Sequence, residues 1–136
     1  MSRSASAGQP VYKYAGAFDS TVAKEIQNIT CNGNADVFSG SADALTFPGL
    51  AQVTTAGVNA MTLATPKSGP QPVGDDGKCL VVVDTTGNAH TITVAANIFP
   101  NSHHVATFNG TAGSSIELTA IAGLWYPTAL NGVTMS

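Results

Sequence analysis

A chain of 136 residues has room for one modest hydrophobic core and not for two. Charged residues make up only 10% of it, against about a quarter in an ordinary soluble protein, and the formal net charge is -3. The basic residues Arg3, Lys13, Lys24, Lys67 and Lys78 are scattered, which argues against a nucleic-acid partner, and no apolar run approaches the ~20 residues that would imply a membrane partner.

In place of charge the sequence uses Thr, Ser, Asn and Gly. Such residues suit a pleated, half-wet surface and cannot build the salt-bridged faces of exposed helices, so strands are favoured. Low charge also lowers the cost of laying this surface against another protein.

In chain order, Met1 to Pro10 is a small polar stretch with the composition of a loosely held terminus and no export-signal pattern, so a protein made and used without export is expected. Val11 to Phe18 carries Tyr12, Tyr14 and Phe18, and an extended backbone would place both tyrosines on one side. These three aromatics, with Tyr126, are the candidate interface residues. Asp19 to Asn28 is the one plausible helix, with Asp19 or Ser20 as cap and Val22, Ala23 and Ile26 as a short apolar stripe. Residues 1–35 are therefore read as an extended N-terminal arm with at most one short helix, and 36–136 as a β-domain.

From Gly33 onward, Gly, Pro, Asn and Asp recur at intervals that fit short strands and turns. Strands are expected near Leu45–Phe47, Ala51–Thr55, Ala60–Ala64, Cys79–Asp84, His90–Ala95, His104–Asn109, Ser115–Ile121 and Leu124–Leu130. The fold class is all-β, a compact antiparallel β-sandwich or barrel. CLVVVD is a continuous apolar run, which implies a strand buried on both faces, whereas HTITVAA and SIELTAI alternate and direct Ile92, Val94, Ile116 and Leu118 to a core. Pro66 to Lys78, rich in Pro and Gly, reads as an exposed loop ending in an Asp-Gly turn.

Chemistry-bearing residues have ordinary explanations. His103 and His104 suggest a metal pair with His90 as a third ligand, but neighbours on a strand point to opposite faces, and a polar pair at a strand start is the simpler reading. Asp75, Asp76 and Asp84 lack the spacing of a calcium loop. Cys31 and Cys79 form no C-x-x-C pair and read as two reduced, partly buried thiols, with a disulfide not implied. Glu117 is out of phase with its apolar neighbours and should face solvent or a partner. Trp125 reads as a core anchor, its neighbour Tyr126 then facing out. None of the familiar catalytic motifs is present, so no enzyme, cofactor or metal is expected.

The segments GVNAMTLATP, DGKCLVVVDTTGNAHTITV and HHVATFNGTAGSSIELTAIAGLWYPTALNGVT, running from Gly57 to the C-terminus, resemble a group of small tailed-bacteriophage head decoration proteins. The resemblance implies a virion structural protein that binds the outside of the assembled major capsid protein shell and cements it, after assembly in the host cytoplasm. It also implies a homo-oligomer, with a trimer as the first expectation, and no catalytic residues. The arm would spread over capsid subunits or a neighbouring copy. The alternative is another virion module: a tail, fibre or carbohydrate-binding adhesin domain.

Overall fold

The computed structural model describes residues 35–136, which lie within the compact unit Cys31–Ser136. The expected arm, its helix and the aromatics Tyr12, Tyr14 and Phe18 lie outside the described residues.

Among the described residues there are nine strands: β1 (Ala35–Phe38), β2 (Gly49–Val53), β3 (Ala60–Thr62), β4 (Cys79–Asp84), β5 (Thr91–Thr93), β6 (Val105–Phe108), β7 (Ser115–Ile121), β8 (Leu124–Asn131) and β9 (Val133–Met135). A single 3-10 turn, Pro100–Ser102, is the only helical element among the described residues. The strands form a five-stranded sheet in the order β1-β2-β4-β7-β8 and a four-stranded sheet in the order β9-β6-β5-β3. The protein is all-β.

The sheets are mixed, which corrects the antiparallel expectation. β1 runs parallel to β2, β2 to β4, and β3 to β5, while β7, β8, β6 and β9 make antiparallel pairs. The cause is connectivity. After β2 the chain leaves for β3 in the other sheet and then returns to lay β4 beside β2, and a return of that kind arrives in the same direction.

The chain also passes between sheets at their edges. Beyond β1, residues 41–45 run beside β3, with the Ala60 and Thr62 N–H groups donating to the carbonyls of Ser41 and Asp43, and Leu45 N–H donating to Thr62. Leu45–Phe47 is therefore an irregular segment rather than a strand. At the opposite side Gly132, at φ 68°, turns β8 of one sheet into β9 of the other.

Alternation builds the core. Ala51 and Val53 of β2, Leu80 and Val82 of β4, and Ile116, Leu118 and Ala120 of β7 point inward from the larger sheet, and Met61, Ile92, Ala106 and Phe108 from the smaller. All belong to one buried cluster, closed by Phe99 and Trp125. Trp125 is fully buried, its indole Nε1–H donating to the Ala64 carbonyl at 2.9 Å and its ring meeting Phe47 edge-on at 4.8 Å. On β4, however, Val81 and Val83 are only half-buried. The inward face of CLVVVD is fully buried, and of its outward residues only Cys79 is.

The edge strand β8 is blunted. Pro127 lacks a donor, an extra residue at Thr128 bulges the pairing with β7, and Trp125 N–H is taken by the Ile98 carbonyl.

Candidate functional site

The inward phase of β4 ends on an acid. Leu80, Val82 and Asp84 share one face, and Asp84 is as buried as its apolar partners. His90, in phase with Ile92 and Val94, is equally buried and meets it, with Nε2 3.2 Å from Asp84 Oδ1. His90 Nδ1 accepts the Asn59 backbone N–H at 3.0 Å, so the ring proton resides on Nε2 and the imidazole is neutral.

Asp84 is held by the loop that follows it. Its Oδ1 accepts from Thr86 N–H at 2.8 Å, Gly87 N–H at 3.0 Å and the Thr86 hydroxyl at 3.1 Å, and its Oδ2 accepts from Asn88 N–H at 3.2 Å. Burial pushes the carboxyl up, but the N–H groups of Thr86 and Gly87, the Thr86 hydroxyl and His90 more than reverse this and leave it below its ordinary value. Asn59 extends the network, donating from Nδ2 to Asp43 Oδ2 and to Thr55 Oγ1. Thr55 in turn donates to the Gly40 carbonyl at 2.7 Å.

An acid, an imidazole and a hydroxyl in contact invite comparison with a catalytic triad. In a triad the acid and the nucleophile engage opposite ring nitrogens. Here Asp84 Oδ1 and Thr86 Oγ1 both face Nε2, and Nδ1 is occupied by a backbone donor. The ring cannot take a proton from Thr86 while it makes these bonds. The arrangement is a stabilising tie between β4, β5 and the chain entering β3.

The remaining candidates are dispersed. His103 and His104 sit where β6 begins and His90 where it ends, since Val94 N–H donates to the His104 carbonyl and Phe108 N–H to that of His90. Asp75 and Asp76 precede β4, whereas Asp84 ends it. Asp75 pairs with Lys78 at 2.8 Å and accepts the Lys67 N–H; the Lys78 ammonium and then that N–H hold its carboxyl below the ordinary value. Asp76 accepts Ala122 N–H at 2.8 Å. Among the described residues no three His, Cys, Asp or Glu side chains gather as a metal set. The Pro66 to Lys78 connection is tied down internally, by Gly74 N–H to Pro70, Asp75 N–H to Lys67 and Asp76 N–H to Gly69.

Cys79 is disulfide-bonded, which corrects the expectation of reduced thiols. The one other cysteine of the sequence, Cys31, lies outside the described residues.

The surface is short of charge. From Asn88 to Ser136, a stretch that contains β5 through β9, the sole Asp, Glu, Lys or Arg is Glu117. Tyr126 is exposed on β8, and Ile121 and Leu130 on β7 and β8 are exposed with it. On the smaller sheet, Thr134, Thr107, Thr91 and Ala60 align across four strands, with Val105, Thr93 and Thr62 in the adjacent row. The sequence reading missed the Asp84–His90–Asn59 network, although the period-two phase of both titratable residues was a signal for it. No family model matches the chain, and no curated protein sequence matches it significantly.

Proposed function

We propose that this protein is a bacteriophage capsid decoration protein, a homo-oligomer that binds the outside of the assembled major capsid protein shell and stabilises it. One observation carries the reading beyond the sequence resemblance: the strands β5 to β9 present a nearly charge-free surface with exposed Ile121, Tyr126 and Leu130. Such a surface loses little on desolvation and gains from burial, which suits a broad protein contact. In this reading the two sheets are the layers of a sandwich around their shared core, and the residues before β1 form the arm that reaches neighbouring subunits.

A non-enzymatic role fits the way the polar side chains are used. Asp84, His90, Asn59, Asp75 and Asp76 spend their hydrogen bonds on the fold. Repeated weak contacts over a lattice then give tight attachment by avidity. Binding the assembled shell and not free subunits stabilises it by mass action.

The test is co-sedimentation of purified protein with capsids stripped of minor proteins, alongside a version lacking residues 1–18. Binding by the full chain that weakens on truncation supports decoration with an arm. No binding by either removes the reading. The threonine rows of the smaller sheet favour one alternative, a glycan-binding virion module, and binding to a glycan array in the absence of capsid binding would establish it instead.

A further inference from the structure

The smaller sheet is closed by the chain itself at its β3 edge. Residues 41–45 run along that edge, giving and accepting backbone bonds, and they send Leu45 into the core, where it is 5% exposed. The opposite edge, β9, has no such cover among the described residues. Gly132 accepts the N–H of Asn109, just past β6, and Ser136 exchanges both backbone bonds with Val105. Alternate residues bond in an antiparallel pair, so the N–H and C=O groups of Val133 and Met135 point away from β6. No described residue partners these four groups.

The core is ajar along the same side. Leu130 of β8 stands opposite Ile116 and so shares the core-facing side of the larger sheet, yet it is 48% exposed where Ile116 is 1%. Val133 and Met135, which follow it through Gly132, pack against the core and are only half-buried. An open backbone edge beside half-covered core side chains is the geometry that accepts an added strand. The closed β3 edge shows what such a strand must be: extended, with an apolar side chain turned inward.

The part of the sequence before β1 holds a segment of that description. VYKYAGAF, Val11 to Phe18, contains no proline, so every residue keeps its backbone donor. In an extended backbone Tyr12, Tyr14 and Phe18 fall on one side, and Lys13 falls on the other with Val11, Ala15 and Ala17. Laid along β9, the segment would turn its aromatics toward Leu130, Val133 and Met135 and its one charge toward solvent.

The route of the chain favours a neighbouring copy as the donor. β1, where the described chain begins, is at the far edge of the larger sheet from β8, about 19 Å away over four strand spacings. Residues 19–30 alone, short of Cys31, extend to about 40 Å. That is enough to pass from the β1 side of one copy to the β9 side of a copy packed against it. Such a contact joins unlike edges head to tail, the kind that closes into a ring.

We propose that residues 11–18 of one copy add as a strand to the β9 edge of the next, seating an aromatic side chain against Leu130. The proposal rests on the homo-oligomer of the decoration reading, names the contact that builds it, and is tested without capsids.

The experiment is sedimentation velocity of the full chain for wild type, Leu130→Lys, the double variant Tyr12→Ser with Tyr14→Ser, and a control, Ala95→Lys, at an exposed position after β5. Wild type and control should be oligomers. Leu130→Lys puts a charge among the apolar side chains of the receiving edge, and the tyrosine variant disables the donated strand. Each should raise the dissociation constant at least about tenfold and shift the population to monomer. Mixing the two variants should restore a one-to-one pair, because each supplies what the other lacks. Amide exchange should show Val133 and Met135 protected in wild type and unprotected in each variant alone, with Trp125 fluorescence unchanged throughout.

A monomeric wild type, variants that remain oligomers, or a mixture that stays monomeric overturns the proposal. An oligomer that behaves as expected but does not co-sediment with stripped capsids removes the decoration reading and leaves the strand exchange standing.

Discussion

Replacing Asp84 by Ala tests whether the buried network is a structural tie. The substitution removes the acceptor of five hydrogen bonds, from Thr86 N–H and hydroxyl, Gly87 N–H, Asn88 N–H and His90 Nε2. The donors do not suffer equally. Thr86 is exposed and Gly87 and Asn88 are half-buried, so water can replace the carboxylate there, whereas His90 is fully buried and its Nε2–H is stranded. A stranded buried donor costs about 1–3 kcal/mol, with donors to a charged acceptor at the upper end of that range. The expected loss is therefore about 2–3 kcal/mol, a sizeable part of the stability of a domain this size. Asp84→Asn keeps the shape and one acceptor oxygen and should lose less, about 1–2 kcal/mol.

The two variants also differ from wild type in acid. The Asp84 carboxyl lies below the ordinary carboxylate value in the folded protein. Its bonds therefore contribute in full above that value and are lost as pH falls through the lower, folded-state one. Asp84→Asn has no such titration, so its deficit relative to wild type should shrink below about pH 4. Urea unfolding followed by the fluorescence of the single, fully buried Trp125 measures both effects. If Asp84→Ala stays within about 1 kcal/mol of wild type at neutral pH, the reasoning about the network is refuted.

Trp125→Ala should cost about 3–5 kcal/mol, because the indole fills the core beside Phe47 and its N–H satisfies Ala64; a loss under about 1 kcal/mol in urea unfolding would contradict that packing. Gly74→Ala should loosen the loop before β4, since a Cβ there collides with the Gly69 carbonyl, and faster protease cleavage between residues 66 and 78 is the readout. Reduction should lower stability by about 2–4 kcal/mol, and Cys79→Ser should lower it similarly while abolishing the response to dithiothreitol in a thermal melt. Tyr126→Ser, at an exposed position, should shift stability by less than about 1 kcal/mol and still reduce co-sedimentation with capsids.

What the sequence made legible was the local pattern. The period-two alternation of SIELTAI placed β7 and its core residues, and CLVVVD gave the limits of β4. Trp125 inward and Tyr126 outward follow from the same alternation. β1 escaped notice because ADVF is almost wholly exposed and lacks a core phase, and β9 because three residues carry too little pattern. Parallel pairing was out of reach, since whether β4 lies beside β2 is decided by the excursion to β3 and not by either strand's composition. The disulfide of Cys79 was illegible for a related reason: spacing along a chain does not measure distance in space.

Of the candidate site, the exposed Tyr126 was readable from alternation, whereas Asp84 was weighed with Asp75 and Asp76 and His90 with His103 and His104, so their buried pairing went unread. The charge-poor surface was visible as composition. The placing of Glu117 between Val81 and Ala129 required the strand order.

The most direct measurement of the central claim is the temperature at which stripped capsids disrupt as purified protein is added back. The decoration account predicts a rise that saturates at a fixed number of copies per shell, with site occupancy at a hundred times Kd supplying about 2.7 kcal/mol per site. A disruption temperature that does not change while the protein is demonstrably bound would contradict a cementing role.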